Sequence, residues 1–457
     1  MKAFWNREEE QTRLRAFLAS KGGGLAVLYG RRRCGKSTLL QRVLPPGAVY
    51  FQADQRETPL QLQSVLKALS LVLPEFDRGT YAGWDDLLAA LYARVTGQLC
   101  ICLDEFPYLV QAAPELPSVL QRYLDRPDGR IKWILCGSSQ RMMQGLVLDR
   151  TAPLYGRAGE ILKLEPLSAG WIESALNLTS RAAVEAFSVW GGVPRYWELA
   201  AAHKGLDPAL KSLVWDRFGV LHDEPQRLLL DDVRGGIQLY SIMSLIGSGC
   251  HRVSEIAGRL GKPMPSLMRP LAQLCELGYV RRIVPFGENH KDSKRSLYRL
   301  QDPFLRFYFR FALPYESALA QGIFGEALHA WRVAGVHHVA ACWEELSRIS
   351  APWVESGQTW GPASPWWGSA GSPVELDVVA MSLDGRELLV GECKWADKKV
   401  MVDVTGMATR LSEKARAIPA ARGRKIVTAC WLGGEAKAQG RIAHLFHERD
   451  VMTALQR

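Results

Sequence analysis

Near the N-terminus the residues Gly30-Arg31-Arg32-Arg33-Cys34-Gly35-Lys36-Ser37 fit the spacing G-x-x-x-x-G-K-[ST] with nothing missing. That pattern is suited to a phosphate chain. Its glycines let backbone N–H groups wrap the phosphates, Lys36 reaches the β/γ oxygens, and the Ser37 hydroxyl ligates magnesium (Mg2+), with Thr38 beside it. ATP and Mg2+ are the implied ligands. A second set of candidates is Asp104-Glu105, directly behind the apolar run Leu99-Cys100-Ile101-Cys102-Leu103. Asp104 is expected to order the magnesium shell and Glu105 to polarise an attacking water. Ser138 and Ser139, behind the next apolar run, are candidates for the γ-phosphate, with helix capping as their other reading.

These groups can meet only if the elements beneath them bring them to one edge. Leu25-Ala26-Val27-Leu28-Tyr29 reads as a buried strand feeding a helix from Lys36 to Val43, with further strands at 48–51, 99–103 and 131–136 and helical stretches between. Such alternation predicts an α/β fold, a parallel sheet covered by helices, whose ligands bind at the carboxyl ends of the strands. Asn6 with Glu9 three residues on predicts a capping box opening a first helix through Leu18.

At 457 residues the chain is too long for one core. The expected divisions are 1–167 for the nucleotide core, 168–234 for a helical lid, 235–300 for a three-helix segment followed by two strands, and 301–457 for a second α/β domain. Nine scattered cysteines without zinc-ligand spacing point to a reducing, zinc-free setting. The early acidic residues and the lack of any 18-residue apolar run argue against secretion or a membrane span, so a cytoplasmic protein is expected. The net charge is +10, and residues 251–300 alone carry ten Lys/Arg against four Asp/Glu. Concentrated positive charge favours a polyanionic partner such as DNA, although basic surfaces also serve solubility.

The stretches Tyr29–Ser37, Leu103-Asp104-Glu105-Phe106-Pro107-Tyr108-Leu109, Leu135-Cys136-Gly137-Ser138-Ser139, Pro153-Leu154-Tyr155-Gly156-Arg157 and Gly191-Gly192-Val193-Pro194 together resemble the archaeal-type ATPase family of the AAA+/STAND class. The resemblance covers most of residues 1–200 and implies a RecA/AAA+-like core. It also implies that Arg157 completes a nucleotide site, in the same subunit or in a neighbour's within a homo-oligomer, by neutralising developing charge. Cys34 stands where the family usually has valine, a position that contributes backbone.

The order of elements over 235–300 resembles a winged helix-turn-helix. Its second helix, from Pro265, carries Ser266, Arg269 and Gln273, and its wing carries Lys291, Lys294 and Arg295, types suited to phosphate contact. Arg269, Lys291, Lys294 and Arg295 are the candidate DNA contacts. Winged helices also serve as packing platforms. Residues 331–431 resemble the PD-(D/E)xK nuclease superfamily through Trp343-Glu344-Glu345, Glu375-Leu376-Asp377-Val378-Val379 and Leu389-Val390-Gly391-Glu392-Cys393-Lys394-Trp395. Side chains alternate along a strand, so Glu392 and Lys394 share a face. The resemblance implies metal held by Asp377 and Glu392, with Glu344 rather than Glu345 assisting, and Lys394 beside the attacking water. The expected ion there is Mg2+, or Mn2+ in its place. The combined reading is an ATP-hydrolysing DNA-processing protein. A scaffold ATPase with an inactive nuclease fold and a DNA-binding regulator without cleavage are the alternatives.

Overall fold

The computed structural model describes residues 4–127, 129–232, 236–290, 293–368 and 374–457. The chain packs as two compact units. One is built from residues 6–166, and the other from Phe4 and Trp5 with residues 167–229 and 236–457.

The first unit holds five strands, β1 (Gly24–Tyr29), β2 (Val49–Gln52), β3 (Leu99–Asp104), β4 (Ile131–Gly137) and β5 (Ala158–Lys163). They run in the order β2-β3-β4-β1-β5 and every pairing is parallel. Both faces of the sheet are covered by helices, so β3 and β4 are buried along their whole length and read as unbroken apolar runs. Val27, Leu103, Leu135, Trp133 and Phe106 anchor the core. Because β4 lies between β1 and β3, the ends of all three adjacent strands deliver Gly30, Ser138 and Asp104 to one edge.

The first helix departs from expectation. It spans Glu8–Ala19 with Arg7, not Asn6, at its N-cap, and no side chain caps it. Asn6 instead accepts the Arg7 amide on Oδ1 at 2.8 Å. The buried Arg7 guanidinium binds Glu10 and the Glu165 carbonyl, an anchor that fixes the helix start one residue later than a capping box would.

In the second unit, helices Ser180–Trp190 and Pro194–Ala200 precede Gly236–Gly247, Val253–Leu260 and Met264–Glu276. A two-stranded antiparallel hairpin follows, β6 (Val280–Ile283) with β7 (Leu297–Leu300). Ser254 lies inside its helix, whose N-cap is Arg252. The helix Pro303–Phe311 buries Phe304, Phe307, Tyr308, Phe309 and Phe311, aromatic bulk that seats it in the core. The long helix Gly325–Ser350 then packs on a sheet of β8 (Ser364–Trp367), β9 (Glu375–Met381), β10 (Glu387–Asp403), β11 (Lys425–Gln439) and β12 (His444–Phe446). Its order is β12-β11-β10-β9-β8, parallel between β10, β11 and β12 and antiparallel elsewhere. Helix Val404–Ala415 covers the sheet by burying Met407 and Leu411 against Leu388, Val390 and Leu432. Among the described residues no helix is long and apolar enough to cross a membrane.

Candidate active sites

The loop behind β1 is shaped by backbone geometry only certain residues tolerate. Gly30 has φ +151° and Gly35 φ +90°, and a Cβ on Gly30 would stand 2.3 Å from the Leu164 carbonyl oxygen. Between them Arg33 adopts φ 67°, and Glu105 adopts φ 52° at the N-cap of the helix Phe106–Ala112. Left-handed backbone in residues with side chains costs roughly 1–3 kcal/mol each and persists where the surroundings impose it. Both positions border the loop or the carboxylates.

Lys36 is buried, and its Nζ donates to the Gly30 carbonyl at 2.8 Å and the Arg31 carbonyl at 3.1 Å. The Ser37 hydroxyl donates to Asp104 Oδ2 at 2.8 Å. Two hard oxygen donors thus sit side by side, the donor chemistry Mg2+ requires. Glu105 turns toward β4, where its Oε2 accepts the Ser138 amide at 3.1 Å and the Ser138 hydroxyl at 2.8 Å. Ser139 is the N-cap of the helix Gln140–Val147, yet its buried hydroxyl makes no hydrogen bond among the described residues. Arg31, Arg32, Arg33 and Cys34 complete the loop, with Arg31 and Cys34 buried. Thr38 follows on the helix Lys36–Val43.

Arg157 is tied within its own unit. Its Nε and Nη2 form a two-pronged pair with Asp125, each at 2.8 Å, and Nη1 donates to the Pro153 and Tyr155 carbonyls. A role at a neighbouring subunit's nucleotide therefore requires this pair to open.

In the second unit, Asp377 on β9 and Glu392 and Lys394 on β10 come together. Asp377 Oδ2 accepts the Cys393 amide at 2.8 Å, and Lys394 Nζ donates to Glu392 Oε1 at 2.7 Å. Lys414, from the covering helix, lies 3.5 Å from Glu392 Oε2. Burial, and then the Glu344 carboxylate, push the Asp377 carboxyl up to about 6, with Glu392 adding to the rise and the Cys393 amide and Lys394 opposing it. Glu344 is thus the glutamate of the long helix that Asp377 senses. Glu345 faces away into two arginines, Arg281 at 2.8 Å and Arg306 at 2.7 Å. Among the described residues no group of three or more His, Cys, Asp or Glu side chains is already gathered as a metal cage. The donors near Asp377 are nevertheless carboxylates, the class that suits Mg2+ or Mn2+.

Over residues 236–300 the structure divides the positive charge between exposed and paired side chains. Arg269 and Lys294 are exposed, as expected of phosphate contacts. Arg295 is not available in the same way, because its guanidinium binds Glu288 and the Trp367 carbonyl. Arg282 likewise donates to the carbonyls of His290 and Ser293. Lys291 lies outside the described residues.

Residues 4–198 match the family model of an ATPase domain predominantly from Archaea, and residues 308–405 that of archaeal and bacterial proteins of unknown function. Over residues 4–198 the chain is thus similar to this ATPase domain family. The chain is also similar to an uncharacterized protein, MJECL04, of Methanocaldococcus jannaschii, at 29% identity over 87% of this chain and 88% of that one. Among solved structures it is similar to the Walker-type ATPase PABY2304 of Pyrococcus abyssi, at 20% identity, 67% of this chain, 96% of that chain and a TM-score of 0.48. The ORC2 protein of Aeropyrum pernix, in ADPNP-ADP complexes, gives 17% identity, 70% and 95% coverage and a TM-score of 0.46.

In the ATPase domain one contributor has no signal in its local sequence. Tyr50 on β2 donates its hydroxyl to Asp104 Oδ2 at 2.6 Å, sharing that oxygen with Ser37. Burial and then the adjacent Asp104 raise the Tyr50 phenol well above its ordinary value, so it stays a donor. Only the sheet order, which seats β2 beside β3, brings it there. Lys414 at the second site is equally non-local, and so is the reach of Arg348 to Asp377. Arg348 donates to the Asp377 carbonyl at 2.9 Å and lies 3.8 Å from Glu344.

Proposed function

We propose that the protein is an ATP-hydrolysing DNA-processing enzyme whose C-terminal domain cleaves DNA with Mg2+ or Mn2+. The nucleotide half of this reading rests on the ATPase family match together with the Ser37–Asp104 and Glu105–Ser138 contacts. Lys36 and the loop amides would hold the phosphates, Ser37 and Asp104 would hold magnesium, and Glu105, oriented by Ser138, would take the proton of the attacking water. Bound magnesium supplies neutralisation of charge on the transferring phosphoryl group.

The observation that carries the cleavage half is the convergence of Asp377, Glu392, Lys394 and Glu344 on one patch, with a raised Asp377 carboxyl. Carboxylates pushed together without enough compensation are what a cation relieves. Asp377, Glu392 and Glu344 would hold the metal, which when bound would activate water for attack on phosphate, and Lys394, beside Glu392 at 2.7 Å, would orient the attacking water. Binding of the duplex is assigned to the exposed face of Met264–Glu276 through Arg269, and to Lys294 of the wing.

The test is cleavage of single-stranded, duplex and branched DNA by the full-length protein with Mg2+ or Mn2+, with and without ATP. Wild type is expected to cut, and Asp377→Asn and Lys394→Ala to lose cutting while remaining folded. Lys394→Ala should still bind metal, a separation an inactive fold cannot produce. A well-folded wild type that cuts none of these substrates leaves the scaffold-ATPase reading in its place.

A further inference from the structure

Apart from both sites, a cavity of about 310 Å³ opens in the second unit between the end of helix Gly236–Gly247, strand β7, helix Pro303–Phe311 and the long helix. Arg299, Arg306, Arg310, His251, His338 and Ser248 are among its lining residues, and no carboxylate is. None of Asp377, Glu392, Lys394 or Glu344 lines it.

The charge behind this wall is unbalanced. Arg281 and Arg306 share the single carboxylate of Glu345, itself 7% exposed. Arg348 reaches Glu344 only at 3.8 Å. Arg299 feels Glu344 and Glu345 through space alone, and its Nε has no hydrogen-bond partner among the described residues. The Arg306 Nε has none either. Arg281, Arg299, Arg306 and Arg348 thus set four guanidiniums against three carboxylates, Glu344, Glu345 and the Asp302 that Arg306 also feels, and Arg310 at the mouth brings the excess to two positive charges. Guanidiniums do not deprotonate in proteins, so they cannot relieve the crowding by losing a proton. Burial, with Arg348 and Arg306 adding repulsion, depresses the Arg299 guanidinium, the mark of a cation short of partners.

The histidines do not supply the missing negative charge. His338 gives its Nε2 proton to the Ser188 carbonyl at 2.8 Å, and burial holds it neutral, down to about 3. His251 gives its Nδ1 proton to the Tyr298 carbonyl at 3.0 Å. What remains is a compact cavity, at the small end of ligand pockets, walled by planar cationic forks that match phosphoryl oxygens two at a time.

We propose that this cavity is a binding site for a small phosphorylated compound, whose one or two phosphoryl groups are clamped by Arg299, Arg306 and Arg310. Such a ligand supplies the two negative charges the cluster lacks. Its size also fits the volume.

The probe is pyrophosphate, titrated calorimetrically into the full-length Lys36→Ala protein so that the phosphate loop does not compete. One binding event is expected. Arg310→Gln, at an exposed position, and Arg299→Gln should each weaken it by roughly tenfold or more, whereas exposed Arg416→Gln should leave it unchanged. Arg310→Gln alone decides the question where Arg299→Gln does not fold. Absence of binding at millimolar pyrophosphate, or equal affinity of the Lys36→Ala protein with and without Arg310→Gln, overturns the assignment. So does a result in which Arg310→Gln and Arg299→Gln weaken duplex DNA binding but pyrophosphate does not bind, since the arginines would then serve nucleic acid. Phosphorus NMR line broadening of pyrophosphate gives the same discrimination independently.

Discussion

Replacing Asp377 by asparagine should stabilise the metal-free protein at neutral and alkaline pH and do little in acid. The asparagine side chain keeps an oxygen for the Cys393 amide, which Asp377 accepts at 2.8 Å, so the perturbation removes charge and little else. Burial and then Glu344 move the Asp377 carboxyl from 3.8 to about 6. Because the folded-state value lies above the unfolded one, the folded protein binds the extra proton between them. The associated stability is fully present below pH 3.8 and is lost as pH rises through about 6. The rise from 3.8 to about 6 corresponds to about 3 kcal/mol, of which roughly a third to all survives local relaxation, so about 1–3 kcal/mol is expected above pH 7. For a domain of this size each kcal/mol moves the thermal midpoint by about 2–4 °C. The assay is scanning fluorimetry of wild type and Asp377→Asn in EDTA from pH 5 to pH 8, read as the difference between the two proteins at each pH. That difference should grow with pH in favour of the variant. Added Mn2+ should then raise the wild-type midpoint and leave the variant's unchanged. A variant no more stable than wild type at pH 8, or a difference that does not vary with pH, would refute the picture of a crowded, cation-seeking carboxylate.

Two further changes probe contacts that strand order creates. Tyr50→Phe removes a donor from Asp104, a hydrogen bond to a charged group worth about 1.5–3 kcal/mol. It should lower ATP turnover by roughly tenfold or more while ATP binding persists, and an unchanged turnover number in a coupled assay would assign Tyr50 to packing alone. Arg295→Ala should lower the thermal midpoint, because the Glu288 carboxylate and Trp367 carbonyl lose their partner, but should leave the salt dependence of DNA binding unaltered. Lys294→Ala should do the reverse, reducing the log–log salt slope by about 1. A salt slope that falls in Arg295→Ala would return that residue to the DNA surface.

What could be read from the chain divides by how local the cause is. The loop Gly30–Ser37 and the apolar runs that became β1, β3 and β4 carry their own signals, since one needs glycines at fixed spacing and the others burial on both faces. Alternation along β10 places Glu392 and Lys394 on one face, and the structure joins them at 2.7 Å. Tyr50 could not be found, because its place beside Asp104 depends on β2 lying next to β3. The first helix begins at Glu8 because Arg7 finds a distant anchor, the Glu165 carbonyl, that no capping rule includes. The positive charge of residues 251–300 was legible as a number but not as a surface. Arg281, Arg282, Arg295 and Arg299 turn inward or bind their own chain, which leaves Arg252, Arg259, Lys262, Arg269 and Lys294 exposed among the described residues.

The most direct test of the nucleotide site is ATP turnover measured together with ATP affinity in wild type, Lys36→Ala and Glu105→Gln. The expected result is no ATP binding in Lys36→Ala, because the lysine meets the ground-state phosphates. Glu105→Gln should bind ATP as tightly as wild type yet turn it over at least roughly tenfold more slowly, because the glutamate acts on the attacking water in the transition state. Glu105→Gln turning over ATP at the wild-type rate would contradict the account.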